Sequence, residues 1–224
     1  MRKLILLILI LPCFSLKGQT DSISNNPAYQ LLTGDIYKDP GVFHNGIYFR
    51  NAYLAGKVYF TSADSIGGIY LRYNSKDDEL LWLNRGFGQI KLEKPNVRAF
   101  VLQSGDTIFR FVRLNLAAHD SSEHFYQECL NGQVSLYAAR GVTKYSSYYK
   151  KDMQFFKYRP QSRYILVING EKYLLEKPTP KSLYERFPGK KAEIAGYLRE
   201  NNLKISNEQA FISLIKQIEP VLLK

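Results

Sequence analysis

The chain has 224 residues, of which 45% are hydrophobic and 14% aromatic, enough apolar material for one domain with its own core and too much for a largely disordered chain. Lys and Arg number 31 against 20 Asp and Glu, a formal charge of +11 that suits acidic partners better than basic ones. With only Cys13 and Cys129, a disulfide-rich scaffold is excluded.

Arg2 and Lys3 precede an unbroken apolar run over residues 4–11, followed by PCFSLKGQ. A basic head, an apolar middle and a small-residue exit predict a secretory signal over residues 1–18, cleaved near Gly18-Gln19. The run is far shorter than the roughly 20 residues of a membrane-spanning helix, and no transmembrane helix is expected in the mature chain. Cys13 would be the anchored residue of a lipoprotein, but Pro12 stands where lipid-attachment signals take a small residue, which argues against lipidation. Loss of Arg2, Lys3 and Lys17 leaves 28 basic against 20 acidic residues, or +8, and one thiol, Cys129, with no internal disulfide partner.

In the mature chain, residues 19–26 read as a loose polar tail and residues 28–37 as a first strand. Asn45-Gly46 predicts a tight hairpin turn. From residue 57 to 114 short apolar runs follow one another: 57–61, 68–73, 79–83, 89–92, 97–102 and 107–114. Glycine, proline and Asx clusters separate them, including Arg85-Gly86-Phe87-Gly88, which leads into a strand rather than a phosphate-holding helix. Aromatic and β-branched runs at this spacing predict antiparallel strands in a meander or barrel-like sheet.

Residues 115–124 form a polar connection. Asn131-Gly132 then predicts a two-residue turn with Cys129 opposite Val134, which puts Phe125, Cys129, Val134, Leu136 and Ala138 on one inward face. Cys129 reads as a small core hydrophobe rather than a reactive thiol. Residues 141–152 read as a loop and residues 153–159 as a strand closed by Pro160. Asn169-Gly170 gives the clearest hairpin, with Ile165 opposite Leu174 and Arg163 opposite Glu176.

At Thr179-Pro180 the period changes from two to 3.6. Thr179 caps a short helix to about Phe187, residues 190–201 make a second, and Ser206 with Gln209 caps a third with Ala210, Phe211, Leu214, Ile215 and Ile218 on one stripe, ended by Pro220. The fold class is therefore α+β, mainly antiparallel β. A β domain over residues 19–176 is followed by a small C-terminal helical subdomain, residues 177–224, packed on it.

Two clusters carry candidate chemistry. Lys144, Tyr145, Tyr148, Tyr149, Lys150 and Lys151 interleave aromatic rings with ammonium groups, a pattern that stacks on bases or sugars and meets anions; the simpler alternative is rings that cover the sheet. His119, Asp120, Glu123 and His124 are the densest set of potential metal ligands, but histidines five apart match no helical ligand pair, and a solvated connector is the expected reading. No cofactor is implied. Asp77, Asp78 and Glu79 adjoin on an extended segment whose side chains diverge, so no acid/base pair follows.

The succession GIYLRYN at 68–74, DELL at 78–81, VRAF at 97–100, FYQ at 125–127, GQVSLY at 132–137 and FPGKKAEI at 187–194 resembles exported, uncharacterised β-rich proteins of the Bacteroidota. The resemblance spans most of the mature chain and implies export, but carries over no activity or site residue. Together these readings point to a periplasmic or outer-surface protein, a non-catalytic binding or structural component of the cell envelope. Its expected partner is an anionic envelope component or another envelope protein, not nucleic acid. The alternative is a periplasmic hydrolase with a non-sequential active site.

Overall fold

The computed structural model describes residues 27–40, 43–86, 88–116 and 122–223. The predicted signal over residues 1–18 and its cleavage point lie outside them. A 3₁₀ turn at Pro27–Leu31 and strand β1 (Gly34–Ile36) stand where one longer strand was expected. Then come β2 (His44–Asn45), β3 (Leu54–Phe60), β4 (Ser65–Asn74), β5 (Glu79–Leu83), β6 (Gln89–Leu92), β7 (Val97–Ser104), β8 (Thr107–Leu114), β9 (His124–Leu130), β10 (Val134–Lys150), β11 (Met153–Ile168) and β12 (Glu171–Leu175). Helices α1 (Pro180–Arg186), α2 (Lys191–Glu200), α3 (Glu208–Gln217) and α4 (Glu219–Leu222) complete the chain.

The protein is mostly β. Among the described residues the strands join in one sheet in the order β1-β6-β5-β4-β3-β7-β8-β9-β10-β11-β12, with β2 paired to β11. Two antiparallel meanders thus grow outward from the β3–β7 pair, and the sheet stays open because its end strands, β1 and β12, do not pair. It is nevertheless strongly coiled. Asp78, at the β4–β5 tip, accepts from the Phe125 amide of β9 at 3.2 Å, although a flat sheet would hold β4 and β9 roughly 19 Å apart.

The concave face carries two cores. In the first, Tyr73, Phe100, Phe111 and Phe125 pack ring against ring, with Phe100 and Phe111 stacked at 4.7 Å. In the second, Val134, Leu136, Tyr164 and Leu166 of β10 and β11 meet Leu183, Ile194, Phe211, Leu214 and Ile215 of the helices. α1–α4 are too short to persist alone, and this burial is what holds them.

Several local expectations are corrected. Of Asn45-Gly46 only the glycine takes a left-handed conformation (φ 88°), and β2 pairs in parallel with β11 instead of folding back as a hairpin. The Asn131-Gly132 turn is wider than two residues, because the Ser135 hydroxyl donates to the Gly132 carbonyl (3.0 Å) and the Val134 amide donates to Glu219 (3.2 Å). Leu136 faces Leu130, and Ala138 faces Gln127, two residues off the expected register, so Cys129, expected on the inward face, is the extra residue of a bulge between them; the even shift beyond it keeps Phe125 on the face of Val134, Leu136 and Ala138. The cap of α3 is Asn207, whose side chain accepts from the Ala210 amide at 2.9 Å, and Pro220 opens α4 rather than ending the helical region. At Asn169-Gly170 the hairpin forms as the spacing predicts, with Ile165 opposite Leu174 and pairing ending one residue short of Arg163 and Glu176.

Candidate binding surfaces

The segment read as a loop at 141–152 is the distal half of β10 and its turn, and Pro160 does not close β11. The Phe156 amide donates toward β2, to the Phe43 carbonyl at 2.6 Å, so Pro160, four residues on, also turns its ring nitrogen to that side. No strand pairs there between β2 and β12, so the missing N–H leaves no ladder bond unmade. β9 leaves β10 at Ala138, and residues 139–150 pair only with β11. The result is a β10–β11 arm on the order of 35–40 Å long, two-stranded except where β2 pairs with Phe156 and Lys157 of β11.

Strand alternation divides the predicted aromatic and basic patch. Tyr148 and Lys150 lie opposite Phe155 and Met153 on one face, whereas Tyr149 and Lys144 lie opposite Gln154 and Tyr158 on the other. Tyr145 is the extra residue of a bulge between Lys144 and Ser146. Tyr148 stacks on Phe155 at 5.2 Å with Phe43 beside it, and the Lys157 ammonium lies 5.2 Å over the Tyr148 ring. Across the arm the Lys144 ammonium lies 5.3 Å over Phe156. Tyr149 is 72% and Tyr145 56% exposed, so neither ring covers the sheet. At the tip, Lys151 (φ 48°) and Asp152 (φ 60°) both hold left-handed backbone.

Of the candidate metal ligands, His119 and Asp120 lie outside the described residues. Glu123 pairs with Arg113 at 3.1 Å, while His124 Nδ1 lies 2.9 Å from Asp78. Among the described residues no three His, Cys, Asp or Glu side chains gather as a metal site. Asp78 is a structural junction that its acidic neighbours concealed. It accepts from the Tyr73 hydroxyl (2.7 Å), Lys94 (2.5 Å) and the Phe125 amide, tying the β4–β5 tip to β9.

A second polar cluster fixes the strap, residues 46–53, that joins β2 to β3. Arg72 is sandwiched between the rings of Tyr48 (3.8 Å) and Tyr53 (4.4 Å) and donates to Asp39 and Gln89 at 2.6 and 2.9 Å. Burial is the main cause that raises the Tyr37, Tyr48 and Tyr53 phenols above their ordinary pKa. These groups stay neutral near pH 7 and serve as donors and ring walls.

Where the two cores meet on the concave face lies a cavity of about 280 Å³. Phe49 and Arg50 of the strap, Phe109 of β8, Gln127 of β9, Arg140 of β10 and Glu208 of α3 are among its walls. Arg140, whose side chain is 11% exposed, donates through Nε to Gln127 (2.7 Å), through Nη1 to Ser162 (3.0 Å) and through Nη2 to Glu208 (2.6 Å). The walls include Ser75 and Ser162 but neither Glu123 nor His124 of the candidate metal ligands. Cys129 packs beside Arg140 at the second core, and burial pushes its thiol up to about 12, which keeps it protonated and unreactive near neutral pH.

Among the described residues no helix is long and apolar enough to cross a membrane. No protein-family model, curated protein or solved structure matches the chain.

Proposed function

We propose that this chain is an exported, non-catalytic binding or structural component of the cell envelope, periplasmic or outer-surface, that meets an anionic envelope partner through the β10–β11 arm. The observation that carries the reading is the exposure of Tyr145, Tyr148 and Tyr149 on a ribbon that also presents Lys144, Lys150 and Lys151. Rings that leave the core and sit among ammonium groups offer stacking and charge at once, at low entropic cost because tyrosine has few rotamers. The left-handed Lys151-Asp152 turn supports the same reading, since strained backbone collects at functional sites. Export rests on the leader over residues 1–18, and the mature charge of +8 gives the long-range attraction.

The test compares the mature protein with Tyr149→Ala and with Tyr148→Ala/Tyr149→Ala in flotation with anionic vesicles and titration with an anionic glycan, each at two salt concentrations. Binding should weaken as salt rises past about 0.15 M, where the screening length is about 8 Å. The double variant should lose about 1–3 kcal/mol of binding at unchanged charge. Tyr149→Ala alone should leave the melting temperature in place. Equal binding by parent and double variant would sink the arm as the partner surface. Intact mass of the exported protein should lack residues 1–18 and carry no acyl group; an adduct on Cys13 would overturn that part.

A further inference from the structure

The cavity between the two cores differs from the arm in chemistry: it is concave, its walls come from separate strands and from α3, and its two cations are not equivalent. Arg140 is neutralised by Glu208 and held by Gln127 and Ser162, so its charge is spent inside the protein. Arg50 is exposed at the rim and has no such partner. Its guanidinium lies over the rings of Phe49 at 5.1 Å and Phe109 at 5.2 Å, and no carboxylate among the described residues pairs with it. Two aromatic faces therefore position a cation beside a cavity without supplying a counter-ion. A guanidinium held over rings keeps its N–H fork for an acceptor, and that fork matches a carboxylate bidentately. Behind it the lining turns apolar, with Phe49, Phe109, Val142 and Ile212 as wall, while Gln127 and Gln209 supply amides.

We propose that this cavity binds a small amphipathic anion, a carboxylate on a compact apolar body, with the acid group on Arg50 and the apolar body between Phe49, Phe109 and Ile212. The size of the cavity, just under the usual range for ligand sites, limits the ligand to roughly the bulk of one aromatic ring or a short acyl chain. Its position between two packed cores is one where such sites recur. The rival reading is a packing gap filled by water, which would show no preference among solutes.

The test is a titration of the isotope-labelled protein with sodium benzoate, followed by amide NMR, against two controls: benzamide, of the same shape without the charge, and acetate, with the charge and no ring. Benzoate should shift the amides of Arg50, Gly141, Val142 and Gln209 saturably, with a Kd on the order of 1 mM for so small a probe. Benzamide, acetate and the Arg50→Gln variant should each bind about tenfold more weakly or worse. Arg50→Lys should fall between, because it keeps the charge and loses the fork. Lys181→Gln on α1 removes one exposed charge that is not part of the cavity lining and should change nothing. Equal binding of benzoate and benzamide by the parent protein, benzoate shifts that never saturate or scatter over the surface, or benzoate affinity unchanged by Arg50→Gln would each overturn the proposal.

Discussion

Arg140 on β10 and Glu208 in the first turn of α3 meet at 2.6 Å across the seam between the sheet and the C-terminal helices. The guanidinium is nearly out of water, the carboxylate is one-third exposed, and Gln127 and Ser162 occupy other donors of the same arginine. An ion pair of this kind adds little over a well-packed apolar pair, yet losing one partner strands the other charge. Glu208→Ala should therefore cost about 2–4 kcal/mol in urea unfolding, toward the lower figure because Glu208 keeps some solvent. Arg140→Met with Glu208→Leu should recover most of that loss. A single substitution costing under about 0.5 kcal/mol would mean the helices dock without the pair.

The buried thiol and phenols give the fold an alkaline limit. Burial pushes Cys129 up to about 12 from an ordinary 9.0, and burial likewise raises Tyr73, Tyr53 and Tyr164. Above pH 9 the unfolded chain releases the Cys129 proton while the folded chain retains it. The folded state then binds more protons, so stability falls as pH rises, at up to about 1.4 kcal/mol per pH unit for each such group. Below pH 9 the contribution of Cys129 is fully present and flat. Urea melts of reduced protein at pH 7, 8 and 10.5 should show almost no change over the first interval and a clear loss over the second. Cys129→Ala should flatten the part of the fall that begins near pH 9. If the variant tracks the parent throughout, or if the native thiol reacts with a disulfide reagent at the rate of a free one, the burial of Cys129 is too loose for this argument.

Elements whose cause is local were legible in the sequence. β5 and β6, the Asn169-Gly170 hairpin and the Thr179 cap of α1 depend on neighbours in the chain, and each lies where its residues put it. The β9–β10 turn was not, because Ser135 and the distant Glu219 decide its width. Pro160 reads as a stop until the sheet shows that its nitrogen faces an unpaired edge. The aromatic and basic patch was visible as composition, but its division into two faces follows only from residues 143–150 being strand. The cavity was invisible, since its walls come from seven separated stretches. One signal for it did exist. Arg140 continues the inward track Val134, Leu136, Ala138, and Glu208 begins the helical stripe of Phe211 and Ile215, so opposite charges extend two buried apolar tracks.

The arm ends in a turn that its sequence does not favour. Lys150 pairs with Met153, leaving Lys151 and Asp152 as the central residues, both with positive φ, in the geometry that Asn-Gly adopts at Asn169-Gly170. A lysine in left-handed backbone has no compensating side-chain bond of the kind asparagine makes, and it costs on the order of 1 kcal/mol. Lys151→Asn with Asp152→Gly should relieve that strain without altering net charge, since one cation and one anion leave together. A two-stranded arm frays locally, so the readout is amide hydrogen exchange at Tyr148, Tyr149 and Gln154, which should slow about fivefold for about 1 kcal/mol. Anionic vesicles should nonetheless bind the variant less well, because Lys151 is exposed at the tip where the partner would dock. A firmer arm with weaker binding would show that the tip keeps a strained residue for its charge. Unchanged exchange would remove the claim of strain, and unchanged binding would move the partner contact away from the tip, toward the Tyr148 and Phe155 face.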